Sequence, residues 1–230
     1  MALPKKSPPE FSRVRRSRDE ARASYDRLSK IYDLLSAGSE QRFREIGVEA
    51  LKIQTGERIL EIGSGTGQAL VAMAQRVGNE GRVFGIDLSP GMTRVALRRI
   101  TKARFTERIS LSIADAGRLP FTSDSFSAVF MAFTLELFDT PEIPIVLREC
   151  QRVLRNGANL CVVGLSKGGK SNLMLAAYEW MHEKYPSLVD CRPIPIKDLI
   201  DEAGFCITRF EMSSMWGLPI EIVLAQKVVR

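Results

Sequence analysis

Short apolar segments alternate with amphipathic segments from residue 58 onward, and this alternation constrains the possible folds more than any other feature of the sequence. The apolar segments predict seven strands, at 58–62, 82–87, 109–114, 126–132, 159–165, 206–213 and 221–228. The amphipathic segments predict helices at 68–77, 89–100, 141–154, 173–184 and 196–203. Strands that alternate with helices form a parallel sheet, whereas the last two strands follow one another and can pair antiparallel. The expected fold is therefore α/β and Rossmann-like, with a seven-stranded mostly parallel sheet, an antiparallel last strand and helices on both faces.

The first 54 residues do not follow this alternation. Helical spacing of apolar residues at 18–54 predicts a helical lid, with breaks at Gly38 and Gly47. The expected organisation is a disordered basic tail at 1–17 and a single domain at 18–230, divided into the lid and a Rossmann-like core at 55–230. Within the core, we expect Asn156 and Gly157 to stop the helix predicted at 141–154.

The chain is basic, and its charge is concentrated at the N-terminus. Nine basic and four acidic side chains give residues 1–30 a charge of +5, out of +6 for the whole chain. This distribution indicates a solvated arm or a peripheral contact with an anionic surface such as a lipid bilayer or RNA, and it disfavours a nucleic-acid-binding core. The N-terminal residues are charged without an apolar stretch behind them, so we expect no signal peptide. The sequence also has no apolar run long enough to span a membrane, one histidine and no C-x-x-C pair. We therefore expect a cytoplasmic protein without a metal site.

A glycine-rich turn follows the first predicted strand. Gly63 and Gly65 fit the dinucleotide pattern G-x-G-x-x-G, but Gln68 stands where the third glycine belongs. Glu61 precedes the turn, and its negative charge would repel a pyrophosphate but would attract an ammonium group. S-adenosyl-L-methionine has an amino-acid end with an ammonium group and no phosphate. The turn therefore predicts S-adenosyl-L-methionine as the cofactor.

Two further acidic residues stand at the ends of the next predicted strands. Asp87 closes the second strand, where a carboxylate can accept hydrogen bonds from both ribose hydroxyls. Asp115 follows the third strand, where it can accept a hydrogen bond from the adenine amino group. Because the carboxyl ends of parallel strands meet at one edge of the sheet, we expect these acids to share one site with the glycine turn.

The stretch from 25 to 167 resembles the class I S-adenosylmethionine-dependent methyltransferases, in particular the ubiquinone/menaquinone biosynthesis C-methyltransferase group. The matching motifs are Tyr-Asp pairs at 25–26 and 32–33, LEIGSGTG at 60–67, GIDLSPGM at 85–92, DA at 115–116, LPF at 119–121, DSF at 124–126 and RVLRNG at 152–157. The resemblance implies a small methyltransferase that acts on a small or lipophilic acceptor.

The resemblance also implies roles for individual residues at the cofactor site. The methionine end would be held by Glu61, Gly63, Ser64, Gly65 and Gly67, the ribose side by Asp87 and Leu88 with Met92 packed nearby, and the adenine edge by Asp115 and Ala116. Phe133 would line the pocket, and Tyr25 and Tyr32 would lie on the lid above it.

One departure from the family pattern bears on the acceptor. The quinone methyltransferases carry an Arg-Asn pair after the fourth strand, whereas this chain has Glu136 at the position of the arginine. Two acceptor classes therefore stay open, a quinol and a phospholipid or amine. If the acceptor must lose a proton, the candidate catalytic bases are Glu136 and His182, the single histidine of the chain.

Two other functions are compatible with a fold of this class. An NAD(P)-dependent oxidoreductase would use a similar sheet, but it would need glycine at position 68. The other alternative is a non-catalytic interaction module, with or without bound S-adenosyl-L-methionine, and a module that binds no ligand would have no use for acids at 61, 87 and 115 together. The sequence therefore favours the methyltransferase.

Overall fold

A computed structural model of the chain describes residues 39–168, 173–184 and 191–228. The predicted tail and most of the predicted lid, with Tyr25 and Tyr32, lie outside the described residues. Within the described ranges, no helix is both long enough and apolar enough to cross a bilayer.

Seven strands form one sheet at the centre of the molecule. They are β1 (Arg58–Ile62), β2 (Arg82–Asp87), β3 (Ile109–Ile113), β4 (Phe126–Ala132), β5 (Leu154–Leu165), β6 (Phe205–Met215) and β7 (Leu218–Lys227). Their order across the sheet is β3-β2-β1-β4-β5-β7-β6. The pairs among β1 to β5 are parallel, whereas β7 is antiparallel to both β5 and β6. The predicted fold class is therefore confirmed.

Helices cover both faces of this sheet. They are α1 (Ser39–Ala50), α2 (Gln68–Arg76), α3 (Pro90–Lys102), α4 (Ile143–Val153), α5 (Leu173–Lys184) and α6 (Ile196–Glu202), with a 3-10 turn at Leu135–Leu137. Alternate side chains of a strand point to opposite faces, and the two faces here enter two separate hydrophobic cores. Val129 and Met131 of β4 pack with α4 and α6, whereas Phe130 packs with α1, α2 and α3. The central strands are buried on both faces, as parallel strands require.

The predicted helix break at Gly47 is wrong, because α1 continues through this residue. A Cβ atom at Gly47 would stand 2.6 Å from Val163 Cγ2 and 2.8 Å from Phe130 Cε2. The missing side chain therefore lets the backbone of α1 lie directly on the sheet. Cys161 Sγ donates a hydrogen bond to the carbonyl oxygen of Gly47 at 3.4 Å, which confirms the close approach.

The prediction that Asn156 and Gly157 stop the preceding helix is also wrong, because α4 ends at Val153 and β5 begins at Leu154. Leu154 is fully buried and pairs with Phe126 of β4, so that the chain enters the sheet earlier than its apolar pattern indicates. The pairing then shifts register before Ala128, and Gly157 has a φ of 73° in this irregular stretch. Gly157 therefore lies in a β-bulge within β5 and does not end a helix.

Candidate functional site

A cleft opens at the carboxyl ends of β1, β2 and β4. β1 lies between the other two strands, so this edge is the point where the strand order reverses and where open α/β sheets bind their ligands. The lining includes ten residues that the sequence predicted, namely Glu61, Gly63, Ser64, Gly65, Asp87, Leu88, Met92, Asp115, Ala116 and Phe133. The fold therefore brings together residues that are up to 72 positions apart, from Glu61 to Phe133.

The glycine turn between β1 and α2 forms the floor of the cleft. Gly63, Gly65 and Gly67 have φ angles of 71°, 50° and 79°, which lie in the left-handed region that favours glycine. The backbone N–H groups of Gly63 and Ser64 donate to the carbonyl oxygen of Ile86, at 2.9 and 3.0 Å, and thereby fix the turn to β2. These bonds hold the turn in one position before any ligand arrives.

Gly67, unlike Gly63 and Gly65, lies at the contact between two helices. It precedes α2 as the N-cap residue and lies outside the cleft lining. A Cβ atom at this position would stand 3.0 Å from the Cβ of Ala96 in α3. Gly67 therefore allows α2 and α3 to pack closely, and a direct role in ligand binding stays a prediction.

Glu61 places a carboxyl group in the wall of the cleft although the residue is only 3% exposed. Burial raises the pKa of the Glu61 carboxyl well above its ordinary value, the Arg44 guanidinium lowers this pKa, and the Asp87 carboxylate raises it. Among the described residues, the buried atoms Glu61 Oε2, Ser64 Oγ and Gln68 Oε1 have no hydrogen-bond partner. All three residues line the cleft, so their oxygens can receive hydrogen bonds from a bound ligand.

Asp87 connects the glycine turn with the start of α3. Its Oδ2 accepts a hydrogen bond from the Gly65 N–H at 2.8 Å, and its Oδ1 accepts one from the Ser89 N–H at 2.8 Å. Ser89 in turn caps α3, because its Oγ accepts a hydrogen bond from the Met92 N–H at 3.1 Å. The Asp87 carboxylate is thus held rigidly at the edge of the cleft.

Asp115 is fixed by a shorter local contact. Its Oδ1 accepts a hydrogen bond from the Gly117 N–H at 2.9 Å, which forms an Asx turn after β3. The residue and its neighbour Ala116 both line the cleft on the side of β2. Asp115 therefore lines the site from a turn that this hydrogen bond fixes.

Arg44 of α1 also lines the cleft, and sequence reasoning missed it. It forms an ion pair with Glu40, one helical turn earlier, and its guanidinium lies 5.6 Å from the centre of the Phe133 ring. A Glu-Arg pair four residues apart looks in sequence like an ordinary pair on a helix surface. The lining contains further residues that were not predicted, including Gln68, Thr134, Leu137, Phe138 and Glu142.

Neither of the two candidate bases is part of the cleft lining in the described part of the chain. Glu136 is fully buried in the 3-10 turn after β4, where its Oε1 accepts a hydrogen bond from the Leu165 N–H at 3.1 Å. His182 lies on α5 and is 5% exposed. A catalytic role for either residue stays a prediction, and the contact of Glu136 indicates that it stabilises the end of β5.

Comparisons with known proteins agree with this arrangement. Residues 59–157 match the family model of a methyltransferase domain. The chain is 30% identical to the demethylmenaquinone methyltransferase of Symbiobacterium thermophilum, over 87% of this chain and 90% of the relative. It is also 30% identical to the ubiquinone/menaquinone biosynthesis C-methyltransferase UbiE of Cellvibrio japonicus, over 82% of this chain and 81% of the relative. A solved structure of a SAM-dependent methyltransferase from Aquifex aeolicus superimposes with a TM-score of 0.65 at 20% identity, over 87% of this chain and 98% of the other.

Proposed function

The chain belongs to the S-adenosylmethionine-dependent methyltransferases, in the group that contains the ubiquinone and menaquinone biosynthesis C-methyltransferases, and from this premise we propose that it methylates a ring carbon of a reduced, lipophilic quinone. Its methyl donor is S-adenosyl-L-methionine. The acceptor proposal rests on the names of the two relatives, one of which acts on demethylmenaquinone and the other of which methylates carbon.

The lining of the cleft fits the amino-acid end of the donor. This end carries an ammonium and a carboxylate, and we assign the ammonium to the buried Glu61 carboxylate with the oxygens of Ser64 and Gln68 nearby. We assign the carboxylate to the Arg44 guanidinium, which lines the same cleft and carries the opposite charge. The buried Glu61 carboxyl is the observation that supports the donor site best, because burying it without a cationic ligand is unfavourable.

The nucleoside part of the donor fits the opposite side of the cleft. We assign the ribose to Asp87 and Leu88, and the adenine to Asp115 and Ala116, with Met92 packed beside them. Two of these residues are fixed by hydrogen bonds to backbone N–H groups before any ligand arrives. Such preorganisation lowers the conformational cost of binding.

When it is bound, the donor supplies a methyl group that is already activated by a positively charged sulfur. The protein therefore needs chiefly to align the acceptor carbon with that methyl group and to exclude water, which can account for about 7–11 kcal/mol of the barrier. Methylation of a quinol ring carbon also requires loss of a proton from the ring, which a base accelerates. Glu136 and His182 remain the predicted bases, and a pH profile of each glutamine variant would test them.

Two experiments test the proposed function in order. Calorimetric titration with S-adenosyl-L-methionine and S-adenosyl-L-homocysteine should show binding of both, and titration with NADH should show none. Transfer of a radiolabelled methyl group should then occur to a prenylated naphthoquinol but not to phosphatidylethanolamine. Transfer to the phospholipid alone would leave the donor assignment intact and would overturn the proposal that the acceptor is a quinol.

Replacing Arg44 with glutamine should lower the affinity for S-adenosyl-L-homocysteine about 10- to 100-fold, because a charged hydrogen bond contributes about 1.5–3 kcal/mol. Calorimetry should show no change in affinity for 5′-methylthioadenosine, which lacks the amino-acid end. Arg42→Gln is the matched control, since Arg42 lies on the same helix and is exposed. Equal losses for both ligands would contradict the assignment of Arg44 to the carboxylate.

Replacing Asp87 with alanine should give a different pattern of losses. The variant loses contacts with the ribose and also leaves the Gly65 and Ser89 N–H groups without their acceptor. We expect affinity to fall by about 1–3 kcal/mol for both S-adenosyl-L-homocysteine and 5′-methylthioadenosine, together with a lower melting temperature. Unchanged affinity for 5′-methylthioadenosine would show that Asp87 does not face the nucleoside.

We further propose that the basic segment at 1–30 attracts the enzyme to an anionic lipid surface. Its charge of +5 supports this, because clustered basic residues near a membrane each contribute about 1 kcal/mol of attraction. A lipophilic acceptor would be found at such a surface. Cytoplasmic location and the lack of nucleic-acid binding stay predictions.

A further inference from the structure

Among the residues of α5 whose exposure the structure describes, all the exposed ones except Lys184 are apolar. On the inner face, Leu175 and His182 are buried and Tyr178 is half-buried. The outer face carries Met174, Ala176, Ala177, Trp180 and Met181, all of them exposed, and Trp180 is 57% exposed. A helix that packs on a sheet with one face normally presents polar residues on the other. Exposed apolar side chains in such a cluster mark an interaction surface.

The turn between β6 and β7 presents a second exposed tryptophan. Trp216 and Gly217 connect the paired residues Met215 and Leu218, with φ angles of 52° and 82°. A two-residue turn with both central residues in the left-handed region favours Asn-Gly, and a bulky aromatic residue there is strained. Trp216 is nevertheless 70% exposed, so burial does not offset this strain.

These two features form one continuous surface. A Cβ atom on Gly217 would stand 3.6 Å from Met174 Cγ, so the turn touches the first turn of α5. Beneath the surface, Leu175 packs in the same hydrophobic core as Met215 and Leu218. We call the exposed side chains of Met174, Trp180, Met181 and Trp216 the tryptophan surface.

The tryptophan surface lies at the same edge of the sheet as the cleft. β7 is antiparallel to β5, and Ile220 near its start pairs with Leu165 at the carboxyl end of β5. The turn at 216–217 therefore extends beyond the carboxyl ends of the parallel strands, where the cleft opens. A partner that covers this surface would also lie beside the cleft.

The chemistry of the surface fits a lipid interface better than a protein partner. Trp and Met occur at both kinds of interface, but Lys is depleted where two proteins meet and is favoured beside tryptophan at membrane surfaces. Lys184 lies over the ring of Trp180, with its Nζ 4.9 Å from the ring centre, and the exposed Lys167 follows β5. The ammonium groups of these two lysines complement anionic headgroups.

We propose that the tryptophan surface docks into the headgroup region of an anionic lipid bilayer, so that the cleft lies next to the membrane. Docking does not depend on the function proposed above. Its consequence, direct access of a lipophilic acceptor to the cleft from the bilayer, does rest on that function.

The two tryptophans of the chain make the proposal directly measurable, because both belong to this surface. With vesicles of phosphatidylcholine and phosphatidylglycerol, the fluorescence of the full chain should shift to shorter wavelength, and brominated lipid should quench it. Vesicles of phosphatidylcholine alone, or added salt, should weaken both effects. Sedimentation with anionic vesicles in the absence of fluorescence quenching would mean that another segment binds, and would overturn the proposal.

Variants localise the contact. Trp180→Ser and Trp216→Ser should each lower the vesicle partition coefficient about 10-fold, because each removes a large apolar side chain from the interface. Leu97→Ser is the matched control, since Leu97 is 53% exposed on α3, which packs near β3 at the opposite edge of the sheet. Equal losses for the control, or a dimer in light scattering that Trp180→Ser dissociates, would overturn the proposal. Methyl transfer to a short-chain, water-soluble quinol tests the enzymatic function separately, since it requires no membrane.

Discussion

Glutamine in place of Glu61 should remove most of the affinity for S-adenosyl-L-methionine and at the same time stabilise the ligand-free protein. Affinity should fall about 100-fold, because the ammonium of the ligand loses a buried anionic acceptor. Stability should rise because the variant no longer buries an ionisable carboxyl, whose ionised form is costly at 3% exposure. Glu61 therefore strengthens ligand binding but lowers the stability of the ligand-free protein.

The stability gain should depend on pH in a defined direction. Since burial raises the pKa of the folded-state Glu61 carboxyl above its ordinary value of 4.5, the folded protein binds the proton more tightly than the unfolded chain. The free energy of unfolding of the wild type therefore falls as pH rises from 4.5 through the raised pKa, and stays low above it. Urea unfolding of both proteins should show nearly equal stability below pH 4.5 and a more stable variant at neutral pH.

The raised pKa of the Glu61 carboxyl should also make the binding of a cationic ligand depend on pH. A cationic ligand favours the ionised form, so binding should release protons in the pH range of the raised pKa and should strengthen as pH rises through it. Calorimetry in buffers of different ionisation enthalpy should detect this release in the wild type and not in Glu61→Gln. Affinity for 5′-methylthioadenosine should be equal in both proteins. A variant that is less stable at neutral pH, or that loses this second ligand as well, would contradict the account of Glu61.

The sequence predicted the strands of the central sheet and the glycine turn well because both depend on local patterns. The predicted bounds of β1, β2 and β4 agree with the structure residue for residue, since each is a short apolar run, and β1 is followed by a glycine and β2 ends at an acid. The site acids follow from the same logic, because a residue that ends a parallel strand must lie at the edge where the strands open.

Features that depend on contacts between distant segments could not be read in this way. Gly47 resembles a helix break in sequence, and only the position of Val163 behind it explains why a helix needs a glycine there. Arg44 resembles a surface arginine until α1 packs beside β4 and β5 and brings the side chain to the cleft. The direction of a side chain also depends on distant segments. Glu136 follows β4 closely, but its carboxylate accepts a hydrogen bond from the backbone of β5.

Alanine in place of Gly63 should be the most damaging single change in the glycine turn. The substitution imposes a φ of 71° on a residue with a side chain, and its Cβ would overlap Cγ2 and Oγ1 of Thr134. Left-handed strain and overpacking together should lower the free energy of unfolding by about 2–5 kcal/mol. Urea denaturation should show this loss, and calorimetry should show no cofactor binding.

Two other glycines provide controls that separate the causes. Gly56 has a φ of 85° with open space around it, so Gly56→Ala should lose only about 1 kcal/mol from backbone strain and should bind cofactor normally. Gly65 also has open space around it but lines the cleft, so Gly65→Ala should lose a similar amount of stability together with most of its affinity. Adding Thr134→Gly to Gly63→Ala removes the overlapping atoms. The free energy of unfolding of the double variant should therefore fall by less than the sum of the two single losses. Strict additivity would mean that the overlap with Thr134 does not cause the damage and that backbone strain alone does.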